Sequence, residues 1–240
     1  MKFYQYINES KGGISFKEII DNILDKCQPF LKDVVKKKKG KGIPIMYSGR
    51  KDSRDWFIKP VRKDRKPKDM PLNIHQTLDD AFNKKFGFRA RSNAIFVTGS
   101  EKLTRQYGNP YIIFPVGEYK YAYNPSFKDL FINIKGHIRN HPITIHSDID
   151  IDNWDINIDD WDYYVRDDDK KKVIGDWIAE YMNGYTNKNL HKAVNANVEI
   201  MLNCAQYIAV SIKYEPILKK YFREHGNTKI SDEDFTKWYM

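Results

Sequence analysis

No apolar run in this chain is long. The longest uncharged apolar stretches, such as Tyr111 to Gly117 and Ile200 to Ile212, fall short of the roughly 20 residues that a membrane-spanning helix needs. Runs of this length suit buried strands instead, and a hydrophobic fraction of 41% is enough for a packed core. Between them lie segments with helical spacing, and the two kinds do not follow a regular βαβ alternation. The expected class is therefore α+β with a mixed or antiparallel sheet. With 240 residues, the chain is expected to form one domain, or one domain with an appendage. Cys27 and Cys204, the only cysteines, give no disulfide framework and no Cys-rich zinc site. They fit a reducing compartment and are expected to be inert thiols.

Apolar spacing at Phe16, Ile19, Ile20, Ile23 and Leu24 predicts a helix, with Ser15 and Glu18 set as a capping box. Ile43 to Tyr47 reads as a short strand ending at Ser48-Gly49, followed by a charged loop to about Pro71. Leu72 to Phe86 has the spacing of a helix, and Ala94 to Thr98 that of a buried strand. Ser100 is placed to cap a helix from Glu101 to Tyr107, which Gly108-Asn109-Pro110 ends. Further strands are expected at Tyr111 to Pro115 and Tyr119 to Tyr123, and a short helix over Pro125 to Ile132. A helix over Lys171 to Met182 and an extended segment over Asn197 to Ile212 close the core, with a helical tail from Glu215 to Met240.

Charge is segregated along the chain. The formal net charge is +9, yet Lys32 to Lys68 alone holds fifteen Lys and Arg against four Asp. Ser147 to Asp169 holds ten Asp and one Arg. Two such segments either face different partners or pair with each other, and the sequence leaves both open. Within the basic segment, Lys36 to Gly42 is too charged and Gly-rich to pack, and reads as a linker or a phosphate-contacting loop.

Several common chemistries have no local support: the chain contains no G-x-x-x-x-G-K-[ST], G-x-G-x-x-G, G-x-S-x-G or H-E-x-x-H. The six histidines are scattered, with His137, His141 and His146 the closest group, and no ligand spacing recurs. Asp148, Asp150 and Asp152 begin like a calcium loop. The sixth position is Asn153 and the twelfth Asp159, in place of the Gly and bidentate Glu such a loop needs. Ile149, Ile151, Ile156 and Ile158 instead suggest a strand with one apolar and one acidic face. No metal site is expected.

Three separated segments form the most specific pattern. The first is Met46-Tyr47-Ser48-Gly49-Arg50; the second runs from Asn93 through Phe96, Thr98 and Ser100 to Tyr107, eleven residues beyond Phe96. The third, Val198 to Leu202, sets Glu199 in an otherwise apolar strand. This order resembles the ADP-ribosyltransferase family, particularly its poly-ADP-ribose polymerase branch. The resemblance implies a split β-sheet core with flanking helices over 43–214, an N-terminal helical segment and basic linker over 1–42, and a C-terminal helical tail over 215–240. It also implies NAD as cofactor. Tyr47, Ser48, Gly49 and Arg50 would then bind it with Phe96, Thr98, Ser100 and Tyr107. Gly49 would offer its backbone to the carboxamide, and Phe96 and Tyr107 would sandwich the nicotinamide. Arg50 would contact the pyrophosphate, and Glu199 would be catalytic, bonding the ribose hydroxyl and stabilising the cation. Ser48 stands where the family has His or Arg, with Arg50, Arg89 and Arg91 as candidates to compensate. Glu118 and Asp129 are the rival carboxylates.

Met1, Lys2, Tyr4, Tyr6, Ile7 and Glu9 resemble the N-terminal targeting peptides of T-even-like phage internal head proteins. The run Arg62, Arg65-Lys66-Pro67, Asp69, then Phe96 to Gly99, Tyr107-Gly108 and Phe114 to Gly117, looks like uncharacterised phage proteins. The resulting expectation is an NAD-dependent mono-ADP-ribosyltransferase of phage or mobile-element type. It would act on nucleic acid or a host protein in the bacterial cytoplasm and be a candidate for packaging in the virion head. The alternative is a non-enzymatic DNA-binding or internal head protein on an inactive transferase-like fold. A metal-dependent nuclease using the Asp run is a third class.

Overall fold

The computed structural model describes residues 16–36, 42–66, 72–130, 132–133 and 168–239. The N-terminal peptide, Ser15, the Lys/Gly linker from 37 to 41, the three clustered histidines and the Asp run up to 167 lie outside the described residues.

Five strands form an antiparallel sheet: β1 (Tyr47–Arg50), β2 (Trp56–Pro60), β3 (Ile95–Val97), β4 (Asn109–Tyr123) and β5 (Ile200–Ser211). The order is β1-β4-β5-β2, and β3 also pairs with β5. They are accompanied by α1 (Phe16–Lys26), α2 (Gln28–Lys36), α3 (Leu72–Phe86), α4 (Glu101–Thr104), α5 (Asp168–Asn183), α6 (Leu190–Asn195), α7 (Glu215–Glu224) and α8 (Asp232–Tyr239). The α+β expectation therefore holds. No helix among the described residues is long and apolar enough to cross a membrane.

The chain divides into two compact units. Unit 1 takes the residues up to Pro60, Gly99–Tyr119 and Cys204 onward; unit 2 takes Val61–Thr98 and Lys120–Asn203.

In unit 1 the apolar stripe of α1 buries Phe16, Ile19, Ile20, Ile23 and Leu24. Phe16 packs against Tyr214, Phe235 and Tyr239, with ring centroids 5.7, 6.1 and 5.7 Å away. From α2, Phe30 meets Phe114 and Tyr119 edge-on, and Phe114 in turn packs on Phe222. Cys27 and Cys204 are both buried here, and loss of hydration pushes each thiol up to about 12. In unit 2 a second core gathers Ile74, Leu78 and Phe82 of α3 with Ile178 and Met182 of α5, and with Tyr185, Leu130 and Met201. Phe82 meets Tyr185 edge-on at 4.9 Å. Lys85 closes this helix pair by donating to the Met182 carbonyl.

Several elements differ from the sequence expectation. The first strand begins at Tyr47, so Ser48 and Gly49 lie inside it, not at its end. The stretch read as charged loop contains β2, whose only buried member is Phe57. α2 and α6 cover residues for which no separate helix was expected. The two strands expected around Gly117 are one 15-residue strand, which passes Gly117 at φ +68°.

Candidate functional site

Unit 2 assembles a polar cluster on the β3–β5 ladder. The register pairs Ile95 with Leu202, Phe96 with Met201 and Val97 with Ile200, so one further step sets Thr98 opposite Glu199. Side chains alternate across a strand. Ile95, Val97, Ile200 and Leu202 are buried on one face, and Phe96, Thr98 and Glu199 share the other, where each is partly exposed. Three of the residues expected from the sequence are thus neighbours because of strand periodicity alone.

Glu199 is held before β5 begins. Asn197 adopts a left-handed φ of 56°, and the Glu199 N–H donates to the Lys128 carbonyl at 3.2 Å. Its side chain is 20% exposed, and Arg91 Nη1 stands 3.6 Å from Oε1, within ion-pair reach but beyond a hydrogen bond. Oε1 is buried without a hydrogen-bond partner. Burial raises the carboxyl to about 7; Arg91 and Arg65 pull it down, the Asp129 charge pushes it up, and the Leu130 N–H pulls it down. Phe96 stands beside the same arginines: the guanidinium carbons of Arg65 and Arg91 lie 4.3 and 4.8 Å from its ring centroid.

What fixes Arg91 is a buried network below it. Asp79, on α3, accepts the N–H groups of Arg91 and Ser92 through Oδ1 at 2.7 and 3.1 Å. Its Oδ2 accepts the Ser92 hydroxyl, which sits 3.0 Å from His75 Nε2. His75 and Asp79 are one turn apart on α3 and both are 4% exposed. Burial lowers the His75 pKa, with Asp79 opposing. The sequence reading had missed His75, Asp79 and Ser92 as site-building residues and named Arg91 only as a substitute cation. Two polar residues beside the apolar stripe of Ile74, Leu78 and Phe82 were the available signal.

Unit 1 holds the other expected residues. In β1 the Ile113 N–H donates to the Met46 carbonyl at 2.9 Å, and the register pairs Tyr47 with Ile112 and Gly49 with Pro110. Alternation then makes Gly49–Pro110 a non-hydrogen-bonded pair, so the Gly49 N–H and C=O turn away from β4. Pro110, which has no N–H, fits at such a position. A Cβ on Gly49 would collide with the Thr104 carbonyl oxygen and come within 2.8 Å of Tyr107 Cβ. Gly49 and Tyr107 are therefore in contact, and Tyr107 is 61% exposed. Ser100 Oγ accepts the Leu103 N–H at 3.4 Å and caps α4, as expected.

Tyr47 and Ser48 are buried. Tyr47 donates to Glu215, and burial with that carboxylate raises its pKa. Ser48 is 6% exposed, opposite Tyr111, which leaves its hydroxyl little surface for a ligand. The Arg50 guanidinium lies 5.1 Å from the Tyr207 ring centroid and has no carboxylate partner among the described residues. Its Nε is buried without a hydrogen-bond partner, and burial lowers its pKa. Of the rival carboxylates, Asp129 stands by Glu199 in unit 2 and Glu118 is exposed in unit 1.

Unit 2 fits part of NAD. The unpartnered Glu199 oxygen suits a ribose hydroxyl, and two guanidinium groups suit a diphosphate. The same groups cover Phe96, so a ring stacking flat there must displace one of them. Among the described residues no His, Cys, Asp and Glu group could hold a metal ion. No protein-family model, curated protein or solved structure matches the chain.

Proposed function

We propose that the chain is an NAD-dependent mono-ADP-ribosyltransferase that modifies nucleic acid or a host protein. The observation that carries this reading is the Glu199 carboxylate: its Oε1 is buried without a hydrogen-bond partner, and it lies on the same strand face as Thr98 and Phe96. A buried acceptor without a donor is costly, and a hydroxyl from a ligand would satisfy it.

In the transfer, the bond between nicotinamide nitrogen and ribose carbon breaks and its electron pair leaves with neutral nicotinamide. The ribose develops oxocarbenium charge, which an ionised Glu199 stabilises. A nucleophile of the acceptor then bonds to the ribose carbon, and its proton passes to Glu199 or water. Arg91 and Arg65 would hold the diphosphate. Because the ionised carboxylate is required, activity should rise as pH passes through about 7. The basic segment of Lys32 to Lys68 favours nucleic acid as acceptor.

Incubating the protein with labelled NAD and DNA, RNA or cell protein, beside Glu199→Gln, tests the reading. Transfer of label that the variant abolishes is expected. No transfer, no NAD hydrolysis and no thermal shift with NAD would sink it. Duplex binding that weakens with salt, without any of these, would leave the DNA-binding alternative standing.

A further inference from the structure

A second candidate site lies elsewhere in unit 2. A cavity of about 390 Å³ opens between the residues after β4 and the end of α5, walled by Asn124, Ser126, Phe127, Asn133, Glu180, Tyr181 and Gly184. Asn124 is 3% exposed. Its Oδ1 accepts the Ser126 N–H at 2.9 Å, while Nδ2 has no hydrogen-bond partner among the described residues. Gly184 makes room for that amide, since a Cβ there would collide with Nδ2. Glu180 has neither a cation nor a hydrogen-bond donor as partner among the described residues. Phe127 and Tyr181 meet edge-on at 5.4 Å and form an aromatic wall, with the Tyr181 hydroxyl spent on the Asn133 carbonyl at 3.2 Å.

Among the described residues the wall thus presents the unused Asn124 amide donor, the unused Glu180 carboxylate, the polar side chains of Ser126 and Asn133 and an aromatic surface, with no Lys or Arg. Without a cation it has no anchor for phosphate; it suits a neutral flat ring with an acceptor and donors along one edge. Guanine matches best: O6 accepts from an amide, and N1–H and the N2 amino group together donate to a carboxylate. Adenine and cytosine each offer a carboxylate only their exocyclic amino group. We propose that this cavity binds an unpaired guanine base, either of a free nucleoside or of a single strand. The proposal does not depend on the transferase reading.

The test uses the full chain and the four ribonucleosides, which carry no phosphate and so bypass the basic segment. Calorimetric titration should show guanosine binding about tenfold or more tightly than adenosine, cytidine or uridine. Glu180→Gln, an exposed helix position, should weaken guanosine about tenfold, and Gly184→Ala should weaken it by displacing the Asn124 amide. Both should keep the wild-type near-UV spectrum. Guanosine no tighter than adenosine, or unchanged affinity in Glu180→Gln, overturns the proposal. A thymine oligonucleotide with one guanine, beside its all-thymine control, identifies the source: guanine-dependent binding tighter than guanosine points to a strand, and equal binding to the nucleoside.

Discussion

With its carboxyl near 7, Glu199 binds a proton more tightly in the folded chain than in the unfolded one, where 4.5 is the ordinary value. Below about 4.5 both states hold the proton and burial costs little. As pH climbs toward 7 the unfolded state ionises first, stability falls, and above 7 the full penalty of a buried charge is present. Glu199→Gln removes the titration. Its stability relative to the parent should therefore grow between pH 5 and pH 8, by up to about 3 kcal/mol. Urea denaturation at both pH values checks this, and an equal difference at the two would contradict it. The partner residue is held indirectly. Asp79→Ala removes three hydrogen bonds from the turn under Arg91, and should cost about 2–4 kcal/mol. It should also move the Glu199 midpoint upward as Arg91 loses its position, which a carboxyl-carbon NMR titration reads directly.

At the scale of elements, β4 shows how glycine position decides tolerance. Gly108, just before the strand, has φ +131°, and a Cβ there would lie 2.5 Å from the Arg50 carbonyl oxygen. Gly117, within it, has φ +68° with nothing within 4 Å. Gly117→Ala should cost about 1 kcal/mol of backbone strain, whereas Gly108→Ala adds a steric clash and should cost about 3 kcal/mol or more. Paired thermal melts distinguish them. The same strand explains part of what the sequence hid. Pro110, Pro115 and Gly117 read as breaks, yet Pro110 sits at a non-hydrogen-bonded position and Pro115 lies past the last β1 partner. β2 was hidden because Asp52 to Asp55 and Arg62 to Lys66 bracket it with charge. By contrast α3 was legible to the residue, as was the Ser100 cap, because each rests on local periodicity or a local hydrogen bond. The clustering of Phe96, Thr98 and Glu199 needed only strand alternation and a pairing. The Asp79 network was not legible, because its bonds join a helix to a turn twelve and thirteen residues away, and spacing carries no signal for that.

For the whole molecule, the chain passes between the units four times, after Pro60, Thr98, Tyr119 and Asn203. Both β4 and β5 run across such a boundary. A strand continuous through two cores ties their fates, so unfolding should be one cooperative transition, with far-UV and near-UV signals coincident in urea. Two separated transitions would show that the units open independently.

Those four passages also set an order in time. Unit 2 has all of its residues once Asn203 has been synthesised, whereas unit 1 still lacks every residue from Cys204 onward. Helix α1 leaves the ribosome long before the Tyr214, Phe235 and Tyr239 rings that pack on its Phe16. The stripe of α1 is therefore buried only after unit 2 has all of its residues. During that interval the apolar stripe of α1 is the surface a chaperone would meet.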